Sequence, residues 1–172
     1  MIDGAAVGAG LDMALACDFR YASDKAKFIC SYTNVGYNPD CGGTWLMPRV
    51  MGLEAAKRFA FTGDLWLAEE ALANRLVSHV SPRERLWDDT LAFAKKLASG
   101  PTVALGLTKW LLAAGQTETL EAQLQNEAFA LELVWLSSKI PFANGDEVIQ
   151  SGSSGYTGDG LRWGNHYTDA YT

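Results

Sequence analysis

Hydrophobic and polar positions in the early part of the chain follow short strand and helix patterns. Residues 1–7 form an apolar run that predicts a strand, and a helical pattern follows it as far as Asp18. Residues 19–22 alternate between apolar and polar side chains, and residues 27–32 are rich in β-prone types, so both segments predict strands. The pattern therefore predicts a β-α-β-β passage.

Helical spacing dominates the chain after a loop at 34–43, which is rich in Gly, Asn, Pro and Asp. The predicted elements are helices at 44–50, 53–61, 68–74, 82–98, 103–114 and 117–137, with one strand at 76–80. Gly52 separates the first two helices, and Gly100-Pro101 breaks the chain between two later ones. Residues 140–172 have no sustained apolar period and are predicted to be an atypical, poorly ordered tail.

Composition limits the classes of protein that this chain can represent. Its 172 residues suffice for a domain with a real core, and its apolar share of 48% is ordinary for a soluble globular protein. The net charge is −6 and the two signs are mixed, so no basic track for nucleic acid is predicted. No apolar run reaches the length of a membrane span, about 18 residues. A cytoplasmic protein that binds neither nucleic acid nor membrane is expected.

The three cysteines, Cys17, Cys30 and Cys41, form an odd set without a CxxC pair. They are interpreted as small buried residues of a protein in a reducing compartment, in preference to disulfide partners or zinc ligands. No histidine pair or carboxylate cluster has the spacing of metal ligands, so no metal is expected.

The turn Gly8-Ala9-Gly10 lies between the first predicted strand and the first predicted helix. Glycines let the backbone approach a ligand closely, and the first amides of a helix have no intrahelical partner. Such an amide, at the positive end of the helix dipole, can stabilise an enolate or a thioester oxyanion. From these residues alone, simple packing of small residues is the alternative.

A longer match gives this turn its interpretation. The segment DGAAVGAGLDMALACD at 3–18 resembles the signature of the crotonase family. The resemblance extends to about Lys139 and includes AKF at 26–28, GGT at 42–44, LMPRVMG at 46–52, TG at 62–63, AEEA at 68–71 and LVSHV at 76–80. It implies an α/β fold, the ClpP/crotonase-like β-β-α superhelix with a C-terminal helical region, here lacking its first part. The implied division is a partial core at 1–80, a helical trimerisation region at 81–139 and the tail at 140–172.

The resemblance also implies roles for individual residues. In the family the middle residue of the Gly-rich triplet donates an oxyanion amide, which corresponds to Ala9. Hydratases of the family carry two glutamates at positions that Asp12 and Tyr32 occupy here, so this chain lacks their carboxylate pair. Tyr32 is interpreted as a pocket wall, with core packing as its alternative. The residues expected to line the substrate pocket are Gly8, Asp12, Tyr32 and Gly36.

Asp40 is the candidate acid/base. Its context, PDCGGTWL at 39–46, resembles the 1,2-epoxyphenylacetyl-CoA isomerases and related enoyl-CoA isomerases, in which the matching aspartate moves a proton between carbons of the acyl chain. A carboxylate on a Gly/Pro loop can face a pocket, and the neighbouring Tyr37 and Trp45 are expected to desolvate it partly. The alternative from local sequence is that Asp40 caps the helix beginning near Gly43.

The resemblance therefore implies an acyl-CoA isomerase that shifts a double bond or isomerises 1,2-epoxyphenylacetyl-CoA, as in phenylacetate catabolism. No cofactor is expected beyond the coenzyme A of the acyl-CoA thioester substrate, and the implied assembly is a homotrimer or hexamer. The alternatives are an enoyl-CoA hydratase of fatty-acid oxidation and a non-catalytic crotonase-like fragment. Asp40 also aligns with the nucleophile of aromatic acyl-CoA dehalogenases, although Gly42-Gly43-Thr44-Trp45 favours the isomerases.

Overall fold

The computed structural model describes residues 1–139. The tail predicted at 140–172 therefore lies outside the described residues. The chain divides into two compact units, the first ending at Gly100 and the second beginning at Pro101.

Short strands and longer helices alternate along the described chain. The strands are β1 (Ala5–Val7), β2 (Tyr21–Ser23), β3 (Lys27–Ile29), β4 (Trp66–Leu67) and β5 (His79–Ser81). The helices are α1 (Ala9–Leu15), α2 (Gly43–Met51), α3 (Leu53–Thr62), α4 (Ala68–Ala73), α5 (Leu86–Ala98), α6 (Thr102–Ala114) and α7 (Leu120–Lys139).

Two small sheets organise the first unit. The first has the strand order β1-β3-β4, in which β1 and β3 are parallel and β3 and β4 are antiparallel. Phe28 lies at its centre, because it is paired with Ala6 on one side and with Trp66 on the other. The second sheet joins β2 and β5 in parallel, with Ala22 opposite Val80. Since α1 follows β1 directly, the turn between them lies at the end of the first sheet.

The core of the first unit packs one face of α1 and α2 against the first sheet. Leu11 and Leu15 lie one helical turn apart and are almost fully buried, as their spacing requires. The Phe59 and Trp66 rings have centroids 4.2 Å apart and close the core from the side of α3 and β4. The buried hydrophobic cluster contains Ala6, Leu11, Leu15, Ala22, Ala26, Phe28, Cys30, Met47, Met51, Ala56, Phe59, Trp66, Ala71, Leu76 and Val77.

The predicted helices are largely confirmed, while the strands are shorter or displaced. Gly52 separates α2 from α3 with a φ of 84°, a conformation that favours glycine. The strand predicted at 76–80 is displaced to His79–Ser81, because Leu76 and Val77 belong to the turn after α4. The strand β4 was not predicted, since two residues are too few for a periodic signal.

The helical region predicted at 81–139 is divided between the two units. Helix α5 belongs to the first unit, where Phe93 stacks on Tyr21 of β2 at 5.3 Å. In the second unit α6 packs on α7, and the Gln123 side-chain amide donates to the carbonyl oxygen of Leu111 at 3.0 Å. The role of the helical region in trimer assembly stays a prediction.

Candidate active site

The turn between β1 and α1 is built on Gly8. Its φ of 53° favours glycine, and its amide donates to the carbonyl of Ile29 at the end of the neighbouring strand. The first helical hydrogen bonds run from the amides of Leu11 and Asp12 to the Gly8 carbonyl, at 2.9 and 3.1 Å. The amides of Ala9 and Gly10 therefore precede the helical ladder. Ala9 is an exposed residue.

Asp12 lies on α1, and its carboxylate is turned into the protein interior. The residue is 1% exposed, which is unusual for a carboxylate. Its Oδ2 accepts a hydrogen bond from the Tyr32 hydroxyl at 2.8 Å. Its Oδ1 is buried and accepts no hydrogen bond from any residue that the structure describes, although it faces the backbone of Gly43.

Burial dominates the electrostatics of Asp12. Desolvation raises its pKa above the ordinary value of 3.8, because the charged form loses water. The Tyr32 hydroxyl opposes this rise, the negative charge of Asp40 adds to it, and the Gly43 N–H opposes it weakly. The net direction is upward, so Asp12 holds its proton to a higher pH than an exposed aspartate. The effect of Asp40 on Asp12 also places the two carboxylates in one electrostatic environment.

Tyr32 connects this buried carboxylate to the turn and to the loop that carries Asp40. The ring carbon bearing the hydroxyl lies 4.0 Å from the position that a Cβ on Gly8 would occupy. Burial, the hydrogen bond to Asp12 and the Cys41 thiol all raise the pKa of Tyr32, so the phenol stays protonated and acts as a donor. The two positions where hydratases carry glutamates thus hold a hydrogen-bonded carboxylate and phenol.

Asp40 lies on the surface of the loop before α2. Contrary to expectation, its neighbours do not desolvate it: Asp40 is exposed, because the Tyr37 and Trp45 side chains are themselves 72% and 54% exposed. The capping alternative is also wrong, because α2 begins after Gly42, at a φ of 89°, without a side-chain cap. The Cys41 thiol donates to Asp40 Oδ1 at 3.3 Å. Asp40 is therefore accessible to a ligand.

Several residues differ from their predicted place or were not predicted. Gly36 ends a short turn at a φ of 77°, where a Cβ would meet no atom within 4 Å, and its pocket role stays a prediction. The interpretation of all three cysteines as buried is wrong, since only Cys30 is buried while Cys17 and Cys41 are exposed. The contact of Gly43 with Asp12 was not predicted, because sequence spacing does not reveal which side chain lies against a glycine.

Comparison with known proteins decides the family. Residues 1–163 match the enoyl-CoA hydratase/isomerase family. The chain belongs to this family. Its match to the family model and to solved structures confirms the predicted crotonase fold with a helical C-terminal region.

Individual crotonase relatives carry different activities. The 1,2-epoxyphenylacetyl-CoA isomerase of Escherichia coli K12 is 40% identical over 126 residues, covering 73% of this chain and 48% of that protein. The 4-chlorobenzoyl coenzyme A dehalogenase-1 of Arthrobacter sp. is 33% identical over 130 residues, covering 73% and 46%. An enoyl-CoA hydratase/isomerase of Cupriavidus metallidurans CH34 has a TM-score of 0.73 at 32% identity, covering 77% and 50%. The chain therefore spans about half the length of these relatives.

Among residues 1–139, no group of three or more His, Cys, Asp or Glu residues is arranged to hold a metal ion. No helix there combines the length and apolar character needed to cross a bilayer.

The raised pKa of Asp12 predicts a pH-dependent cost to stability. Between 3.8 and the higher folded value, the folded crotonase unit binds more protons than the unfolded chain, so its stability falls as the pH rises. Asp12→Asn removes this titration. We expect the variant's free energy of unfolding, relative to wild type, to increase as the pH rises above 3.8 and to level off once Asp12 is ionised in the folded state. Urea unfolding at a series of pH values measures this difference, and a pH-independent difference contradicts the prediction.

Proposed function

We propose that this crotonase-family chain carries the proton-transfer site of an acyl-CoA isomerase. The observation that supports it most is the contact of α1 with the start of α2, because the Asp12 carboxylate lies against Gly43, three residues after Asp40. This contact brings the loop that carries Asp40 next to the helix that begins at Ala9, and the negative charge of Asp40 adds to the rise in the pKa of Asp12. The relative from Escherichia coli, named 1,2-epoxyphenylacetyl-CoA isomerase, supports the same chemistry.

In the proposed mechanism the thioester carbonyl of an acyl-CoA lies against the Ala9 amide. Negative charge that develops on this oxygen as an enolate forms is stabilised by the amide and by the helix dipole. Asp40 removes a proton from the acyl chain and returns it to another carbon, which shifts a double bond or assists epoxide opening. Gly8 lets the acyl group approach the backbone closely, and Gly36 is proposed to line the same pocket. No cofactor is required beyond the coenzyme A of the substrate.

Hydration of an enoyl-CoA is a second candidate. Addition of water uses one group as a base and another as an acid, and two carboxylates, Asp12 and Asp40, interact here. Isomerisation is favoured because Asp12 is buried and bonded to Tyr32, so it cannot directly contact a water molecule in the pocket.

A substrate screen of the full-length protein separates the two candidates. The probes are enoyl-CoA thioesters and 1,2-epoxyphenylacetyl-CoA, followed by absorbance and by mass spectrometry. Isomerisation leaves the mass of the thioester unchanged, whereas hydration adds one water molecule. We expect products of unchanged mass, which for the epoxide would fit phenylacetate catabolism. Exclusive formation of hydrated products contradicts the isomerase proposal, and thioester binding without turnover supports a non-catalytic protein.

We also propose a cytoplasmic homotrimer or hexamer, in which 101–139 contributes to assembly. The support is the large apolar surface on α6 and α7, where Leu112, Leu131 and Trp135 are exposed. Sedimentation equilibrium of the full-length protein tests this, and a monomer at micromolar concentration would contradict it.

A further inference from the structure

The buried carboxylate of Asp12 is hydrogen-bonded to a more exposed group, the phenol of Tyr32. Asp12 is 1% exposed, its Oδ2 accepts the Tyr32 hydroxyl at 2.8 Å, and its Oδ1 faces the Gly43 backbone. Tyr32 is only half-buried, so it is the member of the pair that a ligand can reach. A proton that Asp12 exchanges with a ligand therefore passes through the Tyr32 hydroxyl.

The position of Tyr32 fits such an exchange. Its hydroxyl-bearing carbon lies 4.0 Å from the Cβ position of Gly8, immediately before the Ala9 amide. The phenol therefore lies beside the turn whose Ala9 amide the proposed function assigns to the thioester carbonyl. The Cys41 thiol, which donates to Asp40 Oδ1 at 3.3 Å, also contributes to the raised pKa of Tyr32. The phenol therefore lies near the Gly8 turn and is bonded to the buried Asp12 carboxylate.

We propose that Tyr32 and Asp12 form a second proton-transfer unit, in which Tyr32 touches the acyl group and Asp12 stores the proton. The inference rests on the proposed function, because it requires an acyl thioester at the Ala9 amide. It modifies the proposed mechanism, in which Asp40 alone both removes and returns the proton: Asp40 would act at one carbon, and the Tyr32–Asp12 unit would act at the α-carbon.

The step balances within the site. The C–H bond of the acyl α-carbon breaks, and Tyr32 Oη gains that proton while its own proton moves to Asp12 Oδ2. The electron pair of the C–H bond stays on carbon and delocalises into the thioester carbonyl, where the Ala9 amide stabilises the negative charge. Return of the proton reverses these movements. Burial of Asp12 supports storage, because the neutral acid avoids the cost of a desolvated charge.

Exchange of α-protons with deuterated water tests the proposal. Phenylacetyl-CoA is a suitable probe, because it has α-protons but no double bond to shift. Mass spectrometry measures deuterium uptake with wild type, Tyr32→Phe, Asp12→Asn and the double variant. A binding titration with the same thioester measures the dissociation constant of each protein. Tyr21→Phe is the matched control, since Tyr21 is half-buried and packs on Phe93 and His79 away from the site.

We expect Tyr32→Phe and Asp12→Asn each to lower the exchange rate about 100-fold, the range in which one proton-transfer group contributes, with unchanged thioester binding. The double variant should be no slower than either single one, because the two groups act as a unit. Tyr21→Phe should match wild type. These results would assign Tyr32 and Asp12 to proton transfer. If their role were purely structural, the substitutions would instead lower thermal stability or thioester binding.

Two results would overturn the proposal. If wild type isomerises thioesters but Tyr32→Phe exchanges protons within about twofold of wild type, this inference fails and the proposed function stands. If wild type binds phenylacetyl-CoA but neither exchanges protons nor isomerises any thioester, the proposed function fails and the inference fails with it.

Discussion

Replacement of Asp40 by asparagine is expected to lower the rate of isomerisation by about 10²–10⁴-fold, the contribution of a positioned acid/base group. Asparagine preserves the size and polarity of the side chain but cannot accept the proton. Acyl-CoA binding should be spared, because Asp40 is exposed and packs little against the core. The effect should therefore fall on kcat and leave the dissociation constant of the thioester unchanged.

The measurement compares kcat and thioester affinity of the two proteins on the same enoyl-CoA. Asp88→Asn is a suitable control, because Asp88 is an exposed carboxylate in the first turn of α5. It should retain the wild-type rate. Retained turnover in Asp40→Asn would refute the assignment of Asp40 as the acid/base.

The exposure of Asp40 has a consequence for its chemistry. In the protein alone Asp40 is exposed, so water has access to its carboxylate. We expect the bound acyl chain, together with Tyr37 and Trp45, to exclude water from Asp40 during turnover. Exclusion of water strengthens the electrostatic interactions inside the site, including those between Asp40 and the acyl chain.

The parts of this site that depend on local spacing could be predicted from the sequence. Gly8, Ala9 and α1 follow from a strand, a glycine-rich turn and a helical pattern, and Gly52 separates α2 and α3 as predicted. These features are set by backbone conformation, which neighbouring residues control. The family match and the position of Asp40 on a loop followed from the same contiguous motif.

The contacts across the site could not be predicted, because they depend on packing between distant segments. Asp12 and Tyr32 are twenty residues apart, and their hydrogen bond forms only when α1 and the chain after β3 lie side by side. The sequence predicted that Asp12 and Tyr32 line the substrate pocket, and this stays a prediction. It did not reveal that Asp12 is almost fully buried and accepts a hydrogen bond from Tyr32.

Gly43→Ala is the change expected to disturb the fold and the site together. A Cβ at Gly43 would collide with Asp12 Oδ1 and lie 2.8 Å from Asp12 Cγ. Asp12 cannot move away easily, because it is almost fully buried and bonded to Tyr32. Overpacking of this kind costs about 1–3 kcal/mol of stability. We also expect loss of activity, because the displaced Asp12 would release Tyr32 from the turn.

Urea denaturation measures the change in the free energy of unfolding. Gly106→Ala is the matched control, because a Cβ there meets no atom within 4 Å and Gly106 lies inside α6. Alanine is the better helix former by about 1 kcal/mol, so this control should be stabilised slightly or unchanged. Equal stability of Gly43→Ala and wild type would contradict the proposed collision.

A second substitution shows whether the collision involves Asp12. In an Asp12→Ala background the side chain that meets the new Cβ is absent, so Gly43→Ala should cost much less than in wild type. The two changes should therefore be non-additive by about 0.5–3 kcal/mol, as is usual for residues in direct contact. If the cost of Gly43→Ala is the same in both backgrounds, it arises from the helix α2 backbone and not from Asp12. A smaller loss of stability in the Asp12→Ala background would establish that the Asp12 carboxylate is the group that excludes a side chain at position 43.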